Sequence, residues 1–97
     1  MPRFELADAA AVDVAGIADF SIARWDKVQA ATYLGALETR LKQLAQRPQM
    51  GLHRGELAEG LLSFPFESHV IYYRPADFGI HVMRILHQRQ DPHRHIG

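Results

Sequence analysis

The chain has no cysteine among its 97 residues, which excludes a disulfide framework and any thiolate nucleophile or ligand. Long apolar runs are missing too. None approaches the ~20 residues needed to cross a bilayer, and the opening Met-Pro-Arg-Phe-Glu lacks a basic-then-apolar signal pattern. Net formal charge is zero and neither half carries an excess: six residues of each sign lie up to Met50 and five of each after it. A broad electrostatic pull toward nucleic acid or an anionic membrane is therefore not expected. These absences fit a cytoplasmic protein made of one domain over residues 1–97, large enough for one core and too small for two.

What is present is patterned. Arg3-Phe4-Glu5-Leu6 alternates and predicts a short strand. Ala10, Val14, Ile17 and Phe20 recur three or four apart, predicting a helix with that stripe inward, and Asp8 suits its cap or first turn. The pattern resets at Arg24-Trp25-Asp26. Asp26 with Gln29 forms a capping-box variant opening a second helix, whose stripe is Ala30, Tyr33, Leu34, Leu37, Leu41 and Leu44. The short junction predicts an antiparallel helical hairpin, with Trp25 and Tyr33 in the core. Gly16 and Gly35 fall inside the helices, where close backbone approach is one reason to keep them.

Pro48 to Gly60 is a turn-rich loop. Three strands follow: Leu61 to Phe66, with Pro65 marking an edge or a break, then Ser68 to Arg74, and Gly79 to His87 beyond a Pro75–Phe78 turn. The expected fold is α+β, ordered β-α-α-β-β-β. The helical hairpin packs on a small twisted antiparallel sheet, which Phe4 to Leu6 joins. All six histidines lie after Met50, and the last strand runs into a polar, basic, imidazole-rich tail.

In this order the residues resemble the ParE-type toxins of the ParE/RelE superfamily. The resemblance rests on Asp13, Ile17 and Phe20, on Arg24-Trp25, and on Tyr33, Leu37, Leu41 and Leu44-Ala45. Pro48, Gly51, Leu57 and Gly60 continue it, followed by Ser68 to Arg74, then Arg84 to His87 with Asp91. It implies the toxin half of a type II toxin–antitoxin module that inhibits DNA gyrase by protein contact and is neutralised by a ParD-like antitoxin in a hetero-oligomer. No cofactor, catalytic residue or metal is implied. Target contact is assigned to the end of the last strand and the tail: Arg84, His87, Arg89, Asp91, His93 and Arg94. Antitoxin contact is assigned to Phe64, Arg74 and Trp25. Three departures stand out: Leu62 where relatives often carry Arg, Glu67 where a small residue is common in the turn, and Ala7-Asp8 in place of Ser-Pro.

Two other chemistries compete. RelE-like ribonucleases of similar fold place an Arg and a Tyr where this chain has Val70 and Arg94, so the roles needed at a scissile phosphate are missing. His93-x-His95, if extended, would put two imidazoles on one side as zinc ligands; a histidine-rich polar tail is the plainer reading. His69 and His81 are expected to be half-buried strand residues and His53 a loop residue. Arg74 and Arg84 are expected to pair with Glu67, Asp77 or a helix carboxylate unless an acidic partner takes them. A third possibility is a non-toxic module that only binds an antitoxin.

Overall fold

The structure, a computed structural model, describes residues 1–96. Its elements are β1 (Arg3–Leu6), α1 (Asp8–Arg24), α2 (Lys27–Gln46), a 3-10 turn at Pro48–Met50, β2 (Leu52–His53), β3 (Leu62–Phe66), β4 (His69–Ala76), β5 (Gly79–His87) and a single helical turn, α3 (Pro92–His95). The α+β layout expected from the sequence is present. The sheet, however, is mixed: its order is β1-β5-β4-β3-β2, and β1 runs parallel to β5, with Phe4 beside Ile80 and Leu6 beside Val82. The other pairings are antiparallel. Only a helical crossover returns the chain for parallel pairing, and the hairpin of α1 and α2 supplies it.

Helix α2 starts as the sequence predicts, the Asp26 carboxylate accepting the Gln29 N–H at 2.7 Å. Leu37, Leu41 and Leu44 turn inward against Ile71, Tyr73, Ile80, Val82 and Ile85 of the sheet. Helix α1 is capped at Ala7 without a side-chain bond, leaving Asp8 in the first turn, where its charge suits the helix dipole. Two expectations for this layer fail. Phe20 and Trp25 are not core residues; they are 63% and 45% exposed. Nor do Gly16 and Gly35 mark close backbone contact, because a Cβ at either would meet nothing within 4 Å.

The sheet's other face carries a second cluster of Leu57, Leu61, Tyr72 and Leu86, with Val70, Met83 and Ile96 around it. Loop residues from Pro48 to Gly60 and the tail thus act as a thin cover where helices are absent, and β2 pairs with Leu62 and Ser63 inside that loop. Pro65 lies beyond the reach of β2, at the open side of β3, where its missing N–H costs no ladder bond. Leu62 is buried in the main core, so the position serves packing and not a surface contact. The β4–β5 turn is shorter than expected, with only Asp77 and Phe78 between strands, and Pro75 paired across from Ile80.

One irregularity sets the geometry of the site. Tyr72 pairs with Arg84 and Tyr73 with Val82, leaving Met83 as an extra residue in β5. This bulge shifts the alternation by one, so the helix-facing series runs Ile80, Val82, Ile85 and then His87. Because β1 ends at Leu6, with the Ala7 N–H on the Val82 carbonyl as its last bond, the final stretch of β5 is a free sheet edge facing α1.

Candidate functional site

That edge is closed by side chains. The Asp13 carboxylate of α1 accepts the Ile85 backbone N–H at 2.9 Å and takes the Arg84 guanidinium through Nε at 2.8 Å and Nη2 at 2.9 Å. Two residues on, the Gln90 side-chain oxygen accepts the His87 N–H at 2.7 Å. The carboxylate holds the Arg84 proton more firmly than usual, chiefly by its hydrogen bond. Arg84 also donates to the His95 carbonyl at 3.1 Å, tying α3 to the strand.

Beside this seam lies a groove of about 690 Å³ between α1, the β3–β4 turn and the residues after β5. Val12, Phe20 and Trp25 give it an exposed apolar side, with Val12 72% accessible. Trp25 leans on Tyr33, ring centroids 5.7 Å apart, and Tyr33 on Phe66 at 5.3 Å. The opposite wall is polar, formed by His69, His87 and Arg89, and Arg24 adds a second guanidinium at the end of α1. Tyr33 Oη and His69 Nδ1 lie 2.9 Å apart, and the His69 and His87 rings meet edge to face at 5.5 Å. Burial, and secondarily His87, lowers the His69 pKa below 6.5 against a weaker opposing pull from Asp13. Burial likewise raises that of Tyr33.

The residues proposed from sequence do not form one patch. Trp25, His87 and Arg89 meet in the groove. Arg84 lies beneath it as a strut, its helix-carboxylate partner being Asp13. Asp91 caps α3, accepting the His93 N–H at 3.0 Å, while His93 and Arg94 are exposed on that turn. His93 and His95 sit in a helical turn, not in extended chain, so their rings diverge. Among the described residues no group of three or more histidines and carboxylates is arranged to hold a metal ion. Arg74 donates to the Glu59 carbonyl at 3.0 Å and pins the loop on the far face. Phe64 is half-buried under the Arg40 guanidinium, 5.1 Å from its ring, away from the groove.

Sequence reasoning missed Val12, Phe20, Tyr33 and His69 as groove residues. The available signal was that α1 carries apolar residues outside its inward stripe, at Val12 and Ile22, more than one face needs. Val70, at the position of the nuclease arginine, packs into the far-face cluster.

Comparison with known proteins agrees with the fold. The family described as ParE toxin of type II toxin-antitoxin system, parDE, matches residues 4–92. A protein named Toxin ParE1 from Caulobacter vibrioides is 31% identical over 97 residues, covering all of both chains. Another Toxin ParE1, from Mycobacterium tuberculosis, is 34% identical over 95 residues, or 97% of each. Among solved structures, a chain of the chromosomal ParDE TA system from P. aeruginosa superposes with a TM-score of 0.74 at 20% identity, covering 90% of this chain and 96% of that one.

Proposed function

The chain belongs to the ParE toxin family of type II toxin–antitoxin systems, and from that membership we propose that it is a cytoplasmic toxin that stops DNA gyrase by protein contact and is silenced by a ParD-like antitoxin. On this reading it has no catalytic turnover and uses no cofactor. The observation that supports contact over catalysis is the groove. It pairs exposed Val12, Phe20 and Trp25 with a cationic wall, a surface suited to a protein segment, while Val70 is spent on packing. Among the described residues no helix is long and apolar enough to cross a membrane.

The partner surface is the groove, with Trp25 on its apolar side. Target contact falls to the exposed tail: Arg89, Asp91, His93 and Arg94 beyond His87. The test is induction of the chain alone in cells, with and without the antitoxin, alongside gyrase assays on purified protein. Filamentation, a DNA-damage response and accumulated cleaved DNA, all suppressed by the antitoxin, are expected. Arrested translation with cut mRNA would overturn the gyrase reading, and harmless expression of folded, antitoxin-binding protein would overturn the toxic one.

A further inference from the structure

The two groove imidazoles are held in a particular way. His87 Nδ1 accepts the Arg89 backbone N–H at 3.1 Å, so its ring proton sits on Nε2. His69 Nδ1 is occupied by the Tyr33 hydroxyl, and when that hydroxyl donates, this ring too carries its proton on Nε2. Both Nε2 positions are without a protein partner among the described residues. The ring centroids stand 5.5 Å apart, edge to face, so the two imidazoles share one stretch of the groove wall.

The charges around them are one-sided. From α1 come Asp13, already satisfied by Arg84 and the Ile85 N–H, and Arg24; from the tail comes Arg89. Neither Arg24 nor Arg89 forms an ion pair among the described residues. Tyr33 of α2 is neutral, and Glu67 stands exposed in the β3–β4 turn next to Ser68. A cationic, donor-rich wall facing Phe20 and Trp25 calls for an occupant acidic on one side and apolar on the other.

We propose that the His69–His87 pair is a carboxylate-recognition site, which takes an Asp or Glu side chain of an amphipathic segment of the partner protein while that segment's apolar face covers Val12, Phe20 and Trp25. The proposal rests on the antitoxin reading above and adds to it the chemistry of the contact. An arriving carboxylate favours the charged form of His69, whose second proton would sit on Nδ1 with the Tyr33 hydroxyl turned to accept it, so binding takes up a proton at that ring. A peptide suits the groove better than a nucleic acid because half of the wall is apolar and the chain's net charge is zero.

The probe is the purified ParD-like antitoxin, titrated against the full chain at pH 6.0 and 8.0. Affinity is expected to be higher at pH 6.0, by up to about tenfold, the limit set by a one-unit rise of the His69 pKa on binding. His69→Asn and His87→Asn keep an acceptor near Nδ1 but remove the Nε2 donor, so each is expected to weaken binding at pH 6.0, and His69→Asn to flatten the pH dependence. His53→Gln, on the distant β2 edge, should change neither. Ring NMR of the unmutated protein gives a reading independent of variant folding: His69 should stay protonated to higher pH in the complex than alone. Equal affinity at both pH values with no change in ring titration overturns the carboxylate site and leaves the antitoxin reading standing. No binding at any pH overturns both. Displacement of the antitoxin by a single-stranded RNA with the same pH dependence also overturns the proposal, in favour of phosphate.

Discussion

Asp13 and Arg84, 71 residues apart, meet in a two-pronged hydrogen-bonded pair at 2.8 and 2.9 Å, both side chains mostly shielded from water. The same carboxylate caps the Ile85 N–H, so one side chain joins α1 to the open edge of β5. Without it, the Ile85 N–H and two of the Arg84 donors, Nε and Nη2, would lose their partner.

Asp13→Ala is accordingly expected to lower stability by about 2–4 kcal/mol, since it strands both a charge and an edge N–H. Urea denaturation checks this. A double-mutant cycle with Arg84→Met should give a coupling of about 1–3 kcal/mol, and additive effects would show the pair to be incidental.

Glu67 holds φ at 52° in the two-residue turn between β3 and β4. A side chain is unfavourable there, which gives a physical reason for small residues at this position. Glu67→Gly should raise stability by about 0.5–1 kcal/mol, measured as an upward shift in Tm.

Gly79 opens β5 at φ 142°, against the Arg3 backbone of β1. Any Cβ would overlap the Arg3 carbonyl. Gly79→Ala is therefore expected to cost about 2–4 kcal/mol, and hydrogen exchange should show β1 amides losing protection first.

Stability should fall on acidification through His69. Its folded-state pKa lies below the ordinary 6.5, mainly because burial disfavours the charged ring. The unfolded chain therefore binds the proton first. Its contribution is complete above about 6.5 and is lost as pH drops toward the folded-state value. Denaturation midpoints between pH 8 and 5 should show this slope, and His69→Asn should reduce it.

Phe20→Ser should leave Tm nearly unchanged, within about 0.5 kcal/mol, because the ring is largely in water. Partner affinity should drop at least tenfold by titration calorimetry if this ring anchors the occupant. A large loss of stability would instead return Phe20 to the core.

Much of the architecture was legible because it depends on local chemistry. The Asp26 cap, the α2 stripe and the span of β5 follow from capping, a 3.6-residue period and β-branched content. The groove was not legible. Phe20 continues the stripe of Ile17 perfectly well as a sequence pattern, yet toward the end of α1 it is Ser21, 2% exposed, that turns inward, and Phe20 is left exposed beside the groove. Arg84 and His87 looked alike as tail-side cations. One is consumed by Asp13 and the other is left at a groove wall: three positions apart, they face opposite ways along the strand, and the bulge at Met83 decides which face each takes.

By itself, then, the sequence determined the order of the main elements and the α+β class, because periodicity, capping and turn residues act over a few positions, and its residues carried the family resemblance. The absence of cysteine and of net charge likewise narrowed the chemistry. The tertiary structure alone decided that β1 runs parallel, that Asp13 seals the sheet edge, and that His69 faces His87. Those outcomes depend on contacts between residues far apart in the chain, where register and a single inserted residue choose which side chains meet.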